Sequence, residues 1–433
     1  MKQALLLATV AALAAAAPRV AANVGGGFGV NYHLPDDGDF KGFASGELAF
    51  MSQAFKVVRF DMKWQQIEKN CGHYDFSMFD GVVDALVGAG LTPYAILDYS
   101  NACYNGGSTD KKACTSDKCV AGYGKWAAAV AAHYANYTDL MTFTSTNEPD
   151  NSGLGNDSAD ADAKLTKAAG AVMKKAGFPF VGGVTEGVDV DYQKTLVDNG
   201  VLGYVTAMST HPYTHHPPES HLDDLRQIRK NMDGAGGQDV KLLLDEWGYP
   251  YGGYPSSLDG AAQLLPRTWL LCLSFGLNCD LGIFFDWDGT QGGVGKPNAL
   301  FDAAKAFQRG IGNASSFDKL LTTDGGGDVY AARFHGDPYP YVAIWSAGEP
   351  SSSADADADA DWAAPARRRL GHHHHGGGGG KTVKVKIGAH ACWTTTDYSG
   401  KAGGKLCADS DFSVSVQNVG PGPVYLTPVG DGK

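Results

Sequence analysis

FKVVRFDM (residues 55–62), FSMFDGVVDALVGAG (76–90) and TPYAILDYS (92–100) follow one another closely in the chain. The first and last are short, apolar and β-branched, as strands buried on both faces are. Between them apolar residues recur every three or four positions, the period of a helix packed on one side. The stretch therefore reads strand, helix, parallel strand. The same alternation runs from residue 27 to about 312. GFGVNYH (27–33), LMTFTSTNEP (140–149), FPFVGGVTEG (178–187), GYVTAMSTHPY (203–213), VKLLLDEWGY (240–249) and CDLGIFFDWDG (279–289) supply the other strands. AGYGKWAAAVAAHYAN (121–136) is a further helix between them. Eight such units predict an α/β fold, a (β/α)8 TIM barrel over residues 23–314. A doubly wound open sheet would need a Gly-rich phosphate loop after an early strand. GGGFG (25–29) precedes its strand instead and reads as a flexible lead-in.

After residue 315 the helical period disappears. DVYAARFHG, YPYVAIWSAG, KTVKVKIGAH, DFSVSVQNV and GPVYLTPVG read as strands joined by turns, and predict a small C-terminal β-sandwich over 315–433. A low-complexity insertion, 351–380, interrupts it and predicts disorder. Its run of His is followed only by Gly, so a solvated linker is a better reading than a metal site.

At the other end, Lys2 and the apolar run Leu5–Ala17 predict a signal peptide over residues 1–22. That run is too short to span a bilayer, and no other reaches the roughly 20 apolar residues required. Eight cysteines fit an oxidising compartment and local disulfides, with the pairing left open. Sequons at Asn136, Asn156 and Asn313 fit glycosylation on a secretory route. A net charge of -12 argues against nucleic acid or anionic membrane as a partner.

In a TIM barrel the chemistry sits at the C-terminal ends of the strands. The fourth strand ends in Asn147-Glu148-Pro149 and the seventh in Asp245-Glu246-Trp247-Gly248. One Glu at a strand tip is more often an ion-pair partner or a loop cap. Two at matching tips can flank a glycosidic bond, one held protonated to serve the leaving oxygen and one ionised to attack or to activate water. Arg59 on the second strand supplies a cation that favours an ionised carboxylate. On the sixth strand His211 and Tyr213 lie two apart and share a face. They are candidates to order the network and to hydrogen-bond the nucleophile. Trp287 at the eighth tip offers a ring to stack on a sugar, against an almost equal case for core packing. Tyr99, Asn101 and Trp247, with Trp64 and Tyr249, are further candidates to line the cleft. His215, His216 and His221 read as loop histidines rather than a metal site.

Taken together, Asn147-Glu148-Pro149, Glu246, His211-Pro212-Tyr213, Arg59 and Trp287 resemble clan A of the retaining glycoside hydrolases. VVRFDMKWQQIEKNCGHYDFSMFDGVVDALVGAGLTPYAILDYSN (57–101) is similar to family 39 and its relatives, with family 5 cellulase-like enzymes as near neighbours. The resemblance covers most of 27–312. It implies Glu148 as acid/base, Glu246 as nucleophile, Asn147 as a ligand of the sugar 2-hydroxyl, and no metal or organic cofactor. It implies double displacement with the two carboxyls about 5–5.5 Å apart. The expected partner is an oligo- or polysaccharide, with no nucleic acid, no membrane span and a monomeric chain. Two rivals are a carbohydrate-binding pseudoenzyme, against which the presence of both carboxylates and their supporting residues counts, and a transglycosidase, which would share every one of these residues. The low-complexity insertion and the cysteine-rich loop 101–119 depart from the family pattern.

Overall fold

A computed structural model describes residues 23–107, 114–153, 157–249, 254–255, 257–289, 293–350 and 380–429. The leader, the Asn156 sequon and nearly all of the insertion lie outside the described residues. Eight parallel strands close into a barrel in chain order. They are β1 (Phe28–Asn31), β2 (Val57–Lys63), β3 (Thr92–Asp98), β4 (Thr142–Thr144), β5 (Phe180–Glu186), β6 (Ala207–His211), β7 (Lys241–Trp247) and β8 (Gly282–Phe284). β1 pairs with both β2 and β8, which leaves the sheet no edge. Helices follow the strands, and their apolar period shows which side is covered. In Ser77–Gly88 the buried residues are Phe79, Val82, Val83 and Leu86. Ser116, Ser158, Asp189, Ser257 and Asn298 cap the helices they precede by accepting backbone N–H bonds in the first turn.

Inside the barrel, Val57, Tyr94, Val181, Val184, Ala207, Leu243 and Ile283 form an apolar layer. Two residues further along each strand the same face returns. That step brings Arg59, Ser209, Asp245 and Phe285 inward above the layer. A polar mouth thus stands on an apolar floor. GGGFG is not a flexible lead-in. Val24–Gly27 is a buried turn tied to the far end of the barrel, with Val24 N–H donating to Ala314 O at 2.7 Å. A Cβ at Gly27 would stand 1.8 Å from the Asp280 carbonyl oxygen, so no other residue fits there.

Beyond the barrel lie two antiparallel sheets. β9 (Phe317–Leu320), β10 (Val329–Phe334), β11 (Tyr341–Ser346), β13 (Cys392–Asp397), β14 (Ala402–Cys407) and β16 (Val424–Pro428) form one, in the order 14-13-16-11-10-9. β12 (Lys381–Lys386) and β15 (Ser413–Val419) form the other. Val342 and Ile344 of β11 face the core between the sheets, while Ala343 and Trp345 face the barrel helices. The predicted sandwich is therefore fused to the barrel through a shared apolar layer. β9, β13 and β14 escape the sequence reading. FDKL is a short exposed edge, and Thr and Gly dominate the other two, whose register is fixed by Cys392 opposite Cys407. All eight cysteines pair, as Cys71–Cys103, Cys114–Cys119, Cys272–Cys279 and Cys392–Cys407.

The fused layer has a tight point. A Cβ at Gly310, on the helix Ala299–Ile311, would lie 2.5 Å from the Tyr425 ring, and Tyr425 is fully buried. Gly310→Ala should therefore cost about 1–3 kcal/mol by overpacking, despite the better helix propensity of Ala. A thermal melt at or above that of the wild type would show that the two layers can slide apart.

Candidate active site

Glu148 and Glu246 reach the mouth by two different local devices. β7 advances from Leu244 to Trp247 while β8 advances from Gly282 to Phe284, so β7 carries one extra residue there. Such a bulge re-aims a side chain. Here it lets Asp245 and Glu246, neighbours in sequence, both take part in the mouth network. Glu148 lies just past β4 with φ of 41°, in the left-handed region that a non-glycine residue seldom adopts. Asp98 holds that turn, accepting the Asn147 N–H at 2.9 Å and the Thr146 hydroxyl at 3.2 Å. Burial, with Asp61 beside it, pushes the Asp98 carboxyl well above the usual range.

Arg59 is the hub. Its Nη1 donates to Glu246 Oε2 at 2.5 Å and to Asn31 Oδ1 at 3.1 Å, and its Nη2 to Asn147 Oδ1 at 2.6 Å. A guanidinium only donates, so Asn147 must turn its oxygen to Arg59, and its amide N–H groups remain as donors. Tyr213 donates to Glu246 Oε1 at 2.9 Å, and burial first, then Glu246, keep its hydroxyl well above its ordinary pKa. Asp245 sits below, fully buried, bonded by Tyr94 at 2.6 Å and by Ser209. Burial would push its carboxyl up, but Arg59 and His211 outweigh that and hold it below the usual range.

His211 lies between three carboxylates. Its Nδ1 is 2.6 Å from Glu148 Oε1 and 3.9 Å from Glu246 Oε1, and its Nε2 is 3.2 Å from Asp245 Oδ1. Burial pulls its pKa down, yet Glu246, Asp245 and Glu148 push it up to about 10. Burial pushes Glu148 up, but the bond from His211 dominates and holds it below its ordinary value. Both shifts favour imidazolium beside carboxylate at rest, so the proton that an acid at Glu148 gives up has to reach it when substrate binds. A His raised in the folded state stabilises fully below the unfolded pKa of roughly 6.5 and loses that contribution toward pH 10. Melting temperature should fall between about pH 6.5 and 10, and His211→Asn should flatten that fall. An unchanged slope in the variant would mean that His211 is neutral in the fold.

Oxygens of Glu148 and Glu246 and a nitrogen of His211 all lie within 4.8 Å of one another. These are metal-donor types, and here His211 is engaged at both ring nitrogens, Nδ1 with Glu148 at 2.6 Å and Nε2 with Asp245 at 3.2 Å. His33, Asp286 and Asp288 form a second such group, in which His33 Nδ1 already pairs with Asp288 at 2.7 Å.

The mouth gathers Glu148, Glu246, Asn147, Arg59, His211 and Tyr213. Tyr99 joins them, half-buried within reach of the charges of Asp98, Asp61, Arg59 and Glu246. Five expected lining residues stand elsewhere. Trp287 is 4% exposed, donates to Glu47 Oε1 at 2.8 Å and packs edge-on against Phe50 and Phe301. Trp247 is buried against Tyr249 and Phe284. Asn101 is buried with both amide ends engaged, donating to Glu68 O and accepting from Cys103 N–H. Trp64 is likewise core, stacked on Trp126, and Tyr249 is bonded to Thr268. At the tip of β8 the partly exposed ring is Phe285, edge-on to His33. Counting in twos from the inward Ile283 would have found it. Asp245, Asp98 and Asn31 were also missed as members of the network.

The sequence matches the family model described as Cellulase (glycosyl hydrolase family 5) over residues 29–263. No curated protein matches it. Among solved structures it resembles a glucosidase from Croceicoccus marinus, with a TM-score of 0.58 at 15% identity, over 93% of this chain and 95% of that one. A family 39 β-xylosidase from Caulobacter crescentus gives 0.61 at 14%, over 95% and 98%. A family 30 subfamily 8 xylanase from Clostridium acetobutylicum gives 0.64 at 11%, over 92% and 95%. At such identities these likenesses speak to the fold.

Proposed function

The chain belongs to the cellulase family, glycosyl hydrolase family 5, and from there we propose that it is a secreted retaining glycosidase acting on β-linked oligo- or polysaccharides. The observation that carries this reading is the pair of carboxylates on opposite sides of the mouth, with oxygens within 4.8 Å. Retaining enzymes hold their carboxyls about 5–5.5 Å apart, whereas inverting enzymes leave roughly 6.5–9.5 Å for a water. Glu246 attacks the anomeric carbon, and the bond to the leaving oxygen breaks as Glu148 protonates it. Water then attacks the glycosyl-enzyme ester, giving its proton to Glu148 and releasing Glu246.

The acid form of Glu148 has to be made from the resting carboxylate. A bound sugar excludes water, and desolvation disfavours the charged form. The His211 Nδ1 proton, 2.6 Å away, is the nearest source. Asn147, with its amide N–H groups free of Arg59, donates to a sugar hydroxyl, and Phe285 and Tyr99 offer rings to the sugar. Four disulfides support a secretory route, and the exposed Asn136 and Asn313 are open to glycosylation there. No helix among the described residues is long and apolar enough to cross a membrane.

The test is a screen over aryl β-glycosides and soluble β-glucans, xylans and mannans, with the first-formed anomer read by NMR. Release of the β-anomer supports the reading. First release of the α-anomer, or no turnover on any of these, overturns it.

A further inference from the structure

The loop that carries Tyr213 is anchored well away from the mouth. His221 Nε2 lies 3.3 Å from the Tyr213 carbonyl oxygen, and burial holds that imidazole below its ordinary pKa, so its N–H donates as a neutral group. Pro217 precedes the turn Pro218–His221 and Pro218 opens it, which fixes φ at its entry. Glu219 in this turn is almost wholly buried. It accepts from Arg267 Nε at 3.1 Å and from Arg267 Nη2, and from Trp345 Nε1 at 2.8 Å. Arg267 lies on Leu258–Ser274, the helix after β7, and its Nη1 donates to Gly348 O at 2.9 Å. Trp345 is on β11, and Gly348 just follows it. Arg267 and Trp345 are both fully buried. One carboxylate is thus gripped by a barrel helix and by the C-terminal sheet, six residues along from Tyr213 (219 minus 213).

We infer that Glu219 is a positioning residue: gripped by Arg267 and by Trp345 of the C-terminal sheet, it fixes the loop that aims the Tyr213 hydroxyl at Glu246. The C-terminal sheet is then a working part of the glycosidase site rather than an appendage. This rests on Glu246 being the nucleophile. Tyr213 must donate to one carboxylate oxygen while the other attacks. A small swing of the loop removes that donor without touching the sugar subsite, so the loss falls on kcat and not on KM.

The experiment compares Tyr213→Phe, Glu219→Gln, Trp345→Phe and the double variant Tyr213→Phe/Glu219→Gln. Folding is followed by circular dichroism, and kcat and KM on the best aryl β-glycoside from the screen. Glu219→Gln should lower kcat roughly tenfold or more, and Trp345→Phe, which removes a single donor, by about threefold, with KM nearly unchanged. In the Tyr213→Phe background Glu219→Gln should have no further effect on kcat, because its influence passes through the lost hydroxyl. A purely stabilising Glu219 would lower melting temperature in both backgrounds and leave kcat alone. If Glu219→Gln does not fold, Trp345→Phe decides. An impaired Tyr213→Phe beside folded Glu219→Gln and Trp345→Phe with wild-type kcat overturns this inference alone, as do losses that multiply in the double variant. An unimpaired Tyr213→Phe overturns both this inference and the reading of Glu246.

Discussion

Glu246→Gln will fold and will lose turnover on aryl β-glycosides by roughly 10⁴-fold or more, as loss of a covalent nucleophile does. The amide nearly matches the carboxylate in shape, so the mouth keeps its packing. Its one oxygen can still accept from Arg59, while its NH2 group, a donor only, now faces the Tyr213 hydroxyl, so a single bond is reversed rather than the mouth emptied. What goes is the charge that, in the proposed mechanism, attacks the anomeric carbon. Glu246→Gly opens a space there, and azide should enter it and yield the inverted glycosyl azide. Azide added to Glu148→Ala should yield the retained one, because in that variant the covalent intermediate still forms and only its acid/base help is missing. The opposite stereochemistry would exchange the two roles. Wild-type turnover in Glu246→Gln would remove the assignment altogether.

Arg59→Ala is expected to damage both fold and function. Arg59 is fully buried and touches Glu246, Asn147 and Asn31, with Asp245 at 3.9 Å from its Nε. Its loss leaves Asp245 buried with only His211 and neutral donors. Removing one member of a buried ion pair costs about 3–5 kcal/mol, because the partner remains without compensation. Turnover should fall at least about 10²-fold, since Glu246 and Asn147, the proposed nucleophile and sugar ligand, lose their common anchor. Arg59→Lys keeps the charge but not the planar fork that serves three acceptors, and should be nearly as inactive while losing less stability. Denaturant titration and steady-state kinetics on the two variants check this. An Arg59→Ala protein as stable as the wild type would mean that the surrounding carboxylates find water or protons instead.

The barrel was legible because each strand is short, apolar and followed by a helix with a clean apolar period. The core of the site was legible for a related reason: Glu148, His211 and Glu246 are costly residues at the ends of such strands. Other parts turned on local geometry. The bulge in β7 brings Asp245 and Glu246 into one network and sends Trp247 outward, which no regular alternation anticipates. Trp287 looked like a sugar platform because it is the largest ring near the eighth tip. Two-residue alternation from Ile283 instead favours Phe285, and Trp287 folds back onto Phe50 and Phe301. Asn101 is spent on holding its own loop beside the Cys71–Cys103 disulfide. In the tail, β13 and β14 carry too much Thr and Gly to read as strands alone. They form because a neighbouring strand and a cross-strand disulfide hold them. The resting charge of Glu148 was beyond the sequence as well, since it depends on a 2.6 Å contact with a residue two strands away.

The most direct measurement traps the intermediate. The enzyme is incubated with 2,4-dinitrophenyl 2-deoxy-2-fluoro-β-glycosides of glucose, xylose and mannose, and is then digested and sequenced by mass spectrometry. Double displacement through Glu246 predicts one fluoroglycosyl label per chain, on the peptide that contains Glu246, together with time-dependent inactivation. A label on Glu148, or a protein that turns over the parent glycosides yet takes up no label from any of the three, would contradict it.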